Sequence, residues 1–120
     1  MSNKEEFPVA DLASILSVND SQEEYVDIPE WKMRVKVKSL TKGDQVKLRK
    51  ESTDRHGNLD TTQMEQLVFV YGVVEPKLGR QDVDRLYEKQ SAAVDRILKA
   101  IFDLSGMGAD NSEAEADFQE

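Results

Sequence analysis

No cysteine occurs in these 120 residues. That excludes disulfides and thiolate metal sites and fits a reducing compartment. Histidine is nearly absent as well: His56 is the only one, and a lone imidazole cannot hold a zinc ion. No apolar run approaches the roughly 20 residues that a membrane-spanning helix needs. The opening Met1-Ser2-Asn3-Lys4-Glu5-Glu6 is followed by no apolar stretch and does not read as a signal peptide. Glycine is sparse, and Gly43, Gly57, Gly72 and Gly79 each stand alone, so no phosphate-binding or dinucleotide-binding loop is present. Basic residues are scarce at the two ends. Residues 1–24 hold one Lys against six acids, and residues 109–120 hold five acids and no base, whereas the middle is close to neutral. The two ends, at net -5 each, therefore outweigh a slightly positive middle and set the formal charge of -8. Acidic ends keep a protein in solution and repel phosphate backbones, so nucleic-acid binding is not expected.

Hydrophobic residues make up 38% of the chain and charged residues 33%. That balance is lean for a globular domain and predicts some chain outside the core. Residues 1–8 read as a disordered arm. Leu12, Ile15 and Leu16 share helical spacing over about two turns, a length that is marginal in water unless the apolar face docks on something. A polar linker, 17–24, comes after it. From Trp31 to Lys38 apolar and basic residues alternate, the period of a strand with one dry and one wet face. Tyr25-Val26-Asp27-Ile28 is its expected partner, with Pro29-Glu30 in the turn, giving a β-hairpin at about 24–40. A hairpin alone is barely stable and must pack on other elements.

Helical signals dominate beyond Leu40. Thr41 and Asp44 resemble a capping box before a charged helix, 42–52. A polar loop containing His56-Gly57-Asn58 comes next. Asp60 and Gln63 form a better box before a helix with Met64, Leu67, Val68, Tyr71 and Val74 on the 3.6 period, ended by Pro76. Its last part, Val68 to Val74, is equally rich in strand formers. Val83, Leu86 and Tyr87 mark a short helix over 82–90. Ser91 is the expected N-cap of the strongest helix, 92–104, and Gly106 its stop. Residues 108–120 should form a disordered acidic tail. The expected fold is α+β and mainly helical: an N-terminal β-hairpin packed on a bundle of about four short helices, in one domain spanning 9–107.

Catalytic chemistry finds little support. Asp54, His56 and Asp60 lie close in sequence but lack the spacing of a calcium loop. The other carboxylates fall on helix surfaces and tails. No catalytic residue, metal ligand or cofactor is expected. The candidates that remain are surfaces. Leu12, Ile15 and Leu16 need cover from the domain or from a partner. Trp31 is either an anchor of the hairpin or an interface hot spot. The stripe Val94, Ile97, Leu98 and Ile101, with Phe102 beside it, is either core or a groove for a partner helix. Lys32, Arg34, Lys36 and Lys38 form a cationic strand face, which is an ordinary wet face or a seat for an acidic partner.

Taken in order, several segments carry a resemblance. They are Ile28-Pro29-Glu30-Trp31, the basic strand running to Leu40-Thr41, Val74-Glu75-Pro76-Lys77-Leu78, Leu86-Tyr87-Glu88-Lys89, and Ile101-Phe102-Asp103-Leu104-Ser105-Gly106-Met107 before the acidic tail. Over about residues 9–107 this layout resembles the tail assembly chaperones of long-tailed bacteriophages, in their short, non-frameshifted form. The resemblance implies a non-enzymatic protein in the cytoplasm of the infected bacterial host, absent from the mature virion. It implies binding and solubilising of the tape measure protein, and help in recruiting tail tube subunits, with the major tail tube protein as a second partner. Helix faces and the strand edge add self-association. The alternative is another phage structural protein or a bacterial protein–protein adaptor.

Overall fold

A computed structural model describes residues 6–107. The tail expected at 108–120 and the first five residues of the expected arm lie outside the described residues. Among the described residues the α-helices and strands run in order: α1 (Leu12–Ser17), β1 (Glu23–Ile28), β2 (Met33–Lys38), α2 (Lys42–Glu51), α3 (Thr61–Gly72), β3 (Val73–Glu75), α4 (Arg80–Leu86) and α5 (Ser91–Leu104). The class is α+β, with about half of the described residues helical and a three-stranded antiparallel sheet in the order β1-β2-β3.

The sheet arises from the alternation of residue types. β1 and β2 pair with Val26 opposite Val35 and Ile28 opposite Met33. Val26, Ile28, Val35 and Val37 are buried on the inner face, whereas Tyr25, Asp27 and Arg34 are exposed on the outer one. Pro29–Trp31 forms a single 3-10 turn between the strands. Pro supplies the fixed φ of the first turn residue, and Lys32 closes the turn at φ 54, in the left-handed region. β2 therefore starts at Met33. Lys32 stands in the turn, not on the strand face where the alternation places it, because a left-handed residue breaks the pleat.

A second difference concerns 73–75. The expected helix stops at Gly72, and the next three residues form β3 against β2, with a register shift at Lys36 and Val37. Val73 and Val74 are β-branched and stiff, and β2 otherwise has a free edge, so pairing there wins over one more helical turn. Gly72 also lets α3 approach α5. A Cβ built on it would stand 2.7 Å from Ile101 Cδ1.

The core lies between the inner sheet face, α3 and α5. Phe69, Ile28, Ile97, Ile101, Val37 and Val83 are its largest fully buried side chains. Each such side chain withdrawn from water contributes about 1.5–3 kcal/mol. α5 is the main apolar support and buries Ala93, Val94, Ile97, Leu98, Ala100 and Ile101. Its N-cap is Gln90, and Ser91 is already helical, so the expected serine cap is displaced by one residue. Its C-terminus closes as the glycine predicts. Gly106 takes φ 79, its N–H donates to the Asp103 carbonyl, and Met107 N–H donates to the Phe102 carbonyl.

Polar contacts fix the elements to one another. Arg96 of α5 grips Glu30 of the 3-10 turn with two hydrogen bonds, at 2.6 and 3.0 Å. This grip holds the Glu30 carboxyl down at about 2, well below its ordinary value of 4.5. Ser105 accepts from the Leu40 N–H at 2.8 Å and donates to the Ile101 carbonyl, tying the end of α5 to the segment after β2. Glu51 accepts from Tyr71 and Arg80, joining α2 to α3 and α4. Tyr87 packs edge-on against Phe69 and donates to Glu65.

Candidate functional site: an exposed apolar arm

Residues 6–22 form an arm ahead of the sheet, and every one of them is exposed. Within it α1 is set by its own sequence. The Asp11 carboxylate accepts from Ser14 N–H at 2.8 Å and caps the first turn. That bond also lowers the carboxyl's pKa. Val18 is extended and ends the helix after six residues. Leu12, Ile15 and Leu16 line one side, at 69%, 56% and 74% exposure. Phe7, Val9 and Val18 flank them and are also exposed. Six large apolar side chains on one arm, none of them buried, form a surface that gains by being covered. Helical spacing in the sequence marks only three of the six. Phe7, Val9 and Val18 fall outside that spacing, and their apolar character within a polar segment is the signal that finds them.

The arm carries a consistent charge. No Lys or Arg occurs from Glu5 to Trp31, a stretch that includes Glu6, Asp11, Asp20, Glu23, Glu24, Asp27 and Glu30. Of these, Glu23, Asp27 and Glu30 pair with this chain's own cations.

The other candidates fall elsewhere. Val94, Ile97, Leu98 and Ile101 are at most 8% exposed and belong to the core. Of the two readings the sequence leaves open, this is core and not a partner groove: the helix packs its stripe on the sheet and α3. Phe102 and Trp31 are half-buried against the same core. Two of the four cations of the expected face are paired from within. Arg34 meets Asp27 at 3.2 Å and Lys36 meets Glu23 at 3.0 Å, while both cations sit over the Tyr25 ring. The hydrogen bond to Glu23 raises the Lys36 pKa. Glu23 also stands opposite Lys38 in the strand register. This face is a set of cross-strand charge pairs more than a seat for an outside anion.

The loop around His56 is held by Asp54, whose carboxylate accepts from the N–H groups of His56 and Asn58. Among the described residues no group of three His, Cys, Asp or Glu side chains stands where it could hold a metal ion. Two shallow hollows, of about 250 and 340 Å³, lie beside the start of α3. Of the carboxylates that line them, Asp60 accepts from Gln63 N–H, Glu51 from Arg80, and Asp54 from the N–H groups of its own loop. No helix among the described residues is long and apolar enough to cross a membrane.

Comparison with family models, curated proteins and solved structures finds no match to this chain.

Proposed function

We propose that this chain is a tail assembly chaperone of long-tailed bacteriophages, which binds the tape measure protein and keeps it in solution while the tail is built. The observation that carries the reading is the arm: an acidic segment with six exposed large apolar side chains beside a folded body. The ordered motifs of the sequence, from Ile28-Pro29-Glu30-Trp31 to Ser105-Gly106-Met107, supply the family. A tape measure is a long helical chain with apolar stripes that aggregates when uncovered. A short helix presenting Leu12, Ile15 and Leu16 suits such a stripe, and repeated copies would coat its length. In this reading the β1–β2 hairpin, seated on a bundle of α2 to α5, is the body that displays the arm and recruits the tail tube protein. Self-association of neighbouring copies orders them along the tape measure. The work is done in the cytoplasm of the infected host, and the chaperone leaves before the virion matures. No catalytic step and no cofactor is involved.

Co-expression tests this. The full chain should raise the soluble fraction of a phage tape measure protein and co-purify with it, and the Leu12→Asp/Leu16→Asp variant should do neither. Equal solubility with and without the chain would overturn the reading. The second reading, a structural component of the particle, is favoured by detection of the chain in mature virions.

A further inference from the structure

We propose that the outer edge of β1 is a docking edge for an extended segment of another protein that carries Lys or Arg at every second position, added to the sheet as a further strand. This edge stands apart from the arm that carries the chaperone reading, and neither depends on the other. β1 lies at the end of the sheet and pairs on one side only, with β2. One pair of bonds shows which of its main-chain groups are free. Gln22 stands opposite Ser39 where the register continues past Glu23 and Lys38. Ser39 N–H donates to the Gln22 carbonyl at 2.8 Å, and Gln22 N–H donates to Ser39 Oγ at 3.0 Å. In an antiparallel pair such bonded positions alternate with unbonded ones, so Glu24, Val26 and Ile28 turn their main-chain groups towards β2. Glu23, Tyr25 and Asp27 turn theirs away from it. All three are exposed, and among the described residues no further hydrogen bond reaches their main chain. A row of unpaired N–H and C=O groups is a template for another strand.

Charge selects the strand that fits. The side chains of Glu23, Tyr25 and Asp27 share the outer face and stand opposite Lys38, Lys36 and Arg34 of β2. Directly opposed residues lie on one face of a sheet whichever edge is used, so a strand added outside β1 meets the same row. The carboxylates have capacity left for it. An ionised carboxylate accepts at about four lone-pair sites. Asp27 has a cation at 3.2 Å and a side chain 74% exposed, and Glu23 has one at 3.0 Å and is 45% exposed. The Tyr25 ring between them holds Arg34 and Lys36 at 5.3 and 5.5 Å and is itself 53% exposed, so it too favours cations. Glu24, at the start of the inner face, is exposed and forms no ion pair with a described residue. The matching strand therefore has the pattern of β2: cations on the outer face, and apolar residues between them to prolong the inner face of Val26 and Ile28.

A second copy of the chain does not suit this edge. Two β1 edges laid together bring Glu23, Glu24 and Asp27 of one chain beside those of the other, and like charges facing across a sheet are destabilising. The arm of another copy is no better, since no Lys or Arg occurs from Glu5 to Trp31. β2 has the required pattern but lies between β1 and β3. The acidic row thus blocks pairing of the edge with itself and admits a basic strand.

The test is amide exchange in the 15N-labelled full chain, with a synthetic peptide copying residues 32–40 as the basic strand. In the free protein the amides of Glu23, Tyr25 and Asp27 should exchange rapidly, and those of Glu24, Val26 and Ile28 slowly. With peptide at about ten times its Kd the first set should slow by about tenfold, while the second set and β2 keep their native signals. The peptide with Arg34→Glu, Lys36→Glu and Lys38→Glu should have no effect. The basic peptide N-methylated at its Lys36 nitrogen should have none either, because it lacks a donor for the edge. The Asp27→Lys chain should bind the basic peptide several-fold more weakly. It should keep the dispersed spectrum of the folded protein, since the pair it breaks lies on the surface. Outward amides already slow in the dilute free protein mean that the chain covers its own edge, and they overturn the proposal. So does protection that rises with protein concentration alone, which means a second copy. Equal binding of the N-methylated peptide means attraction by charge without strand pairing, and displaced β2 signals mean exchange of the peptide for β2. Either result overturns the proposal, as does the absence of slowing up to the solubility limit of the peptide.

Discussion

Gly72 stands where α3 meets α5, and its lack of a side chain is a packing requirement. An added Cβ would lie 2.7 to 3.0 Å from three atoms of the Ile101 side chain, which is fully buried and has no room to retreat. The helical preference of alanine works the other way, by at most about 1 kcal/mol, whereas forced overpacking costs about 1–3 kcal/mol. Gly72→Ala should therefore lower the urea midpoint with little change in slope, and adding Ile101→Val should restore part of the loss. Glu30 gives a pH-dependent counterpart. Its folded value of about 2 lies below the ordinary 4.5, so the Arg96 contact contributes stability above 4.5 that fades as the pH falls towards 2. Wild type should exceed Glu30→Gln in stability above that window, and the difference should close across it in unfolding curves recorded as a pH series. Neither role is legible in the sequence. Which cation meets Glu30, and which side chain crowds Gly72, depends on tertiary neighbours that one sequence does not rank.

At the scale of elements the sequence is more readable, and the reasons are physical. α5 has an unbroken apolar stripe and a glycine stop. β2 alternates strictly, and Thr41 and Asp60 cap α2 and α3 with their side chains, though only Thr41 and Asp44 complete the expected box, because the Gln63 side-chain amide donates to the Glu51 carbonyl instead. β3 is hidden because Val68 to Val74 satisfies both periods, and the choice is made by the free edge of β2, a long-range partner. The apolar stripe of α5 is plain in the sequence, but whether it faces a core or a partner is not, since both require the same spacing. The join between β2 and α5 is equally hidden. It rests on Ser105, whose hydroxyl is the acceptor for the N–H of buried Leu40. Ser105→Ala should leave that N–H without its partner and cost about 1–3 kcal/mol, read as a lower midpoint. Amide exchange at Leu40 should also quicken by more than the global loss explains.

For the whole molecule, the division between body and arm decides what a mutation does. Apolar side chains of α5 hold the fold, whereas those of α1 remain in water. The two helices should therefore respond in opposite ways to the same kind of change. Ile97→Ala removes buried methyl groups from a site 2% exposed and should cost about 2–5 kcal/mol of stability. Leu12→Ser with Leu16→Ser touches nothing that the body needs, and its effect on unfolding should stay within about 0.5 kcal/mol. Under the proposed function this second variant should nonetheless lose its hold on the tape measure protein, because the surface that gains by being covered is gone. Urea unfolding and a co-expression solubility assay, run on both variants, separate the two effects. If the arm variant loses stability on the scale of Ile97→Ala, the arm is seated on its own body in solution. It is then part of the core, and a partner has to be sought on another surface.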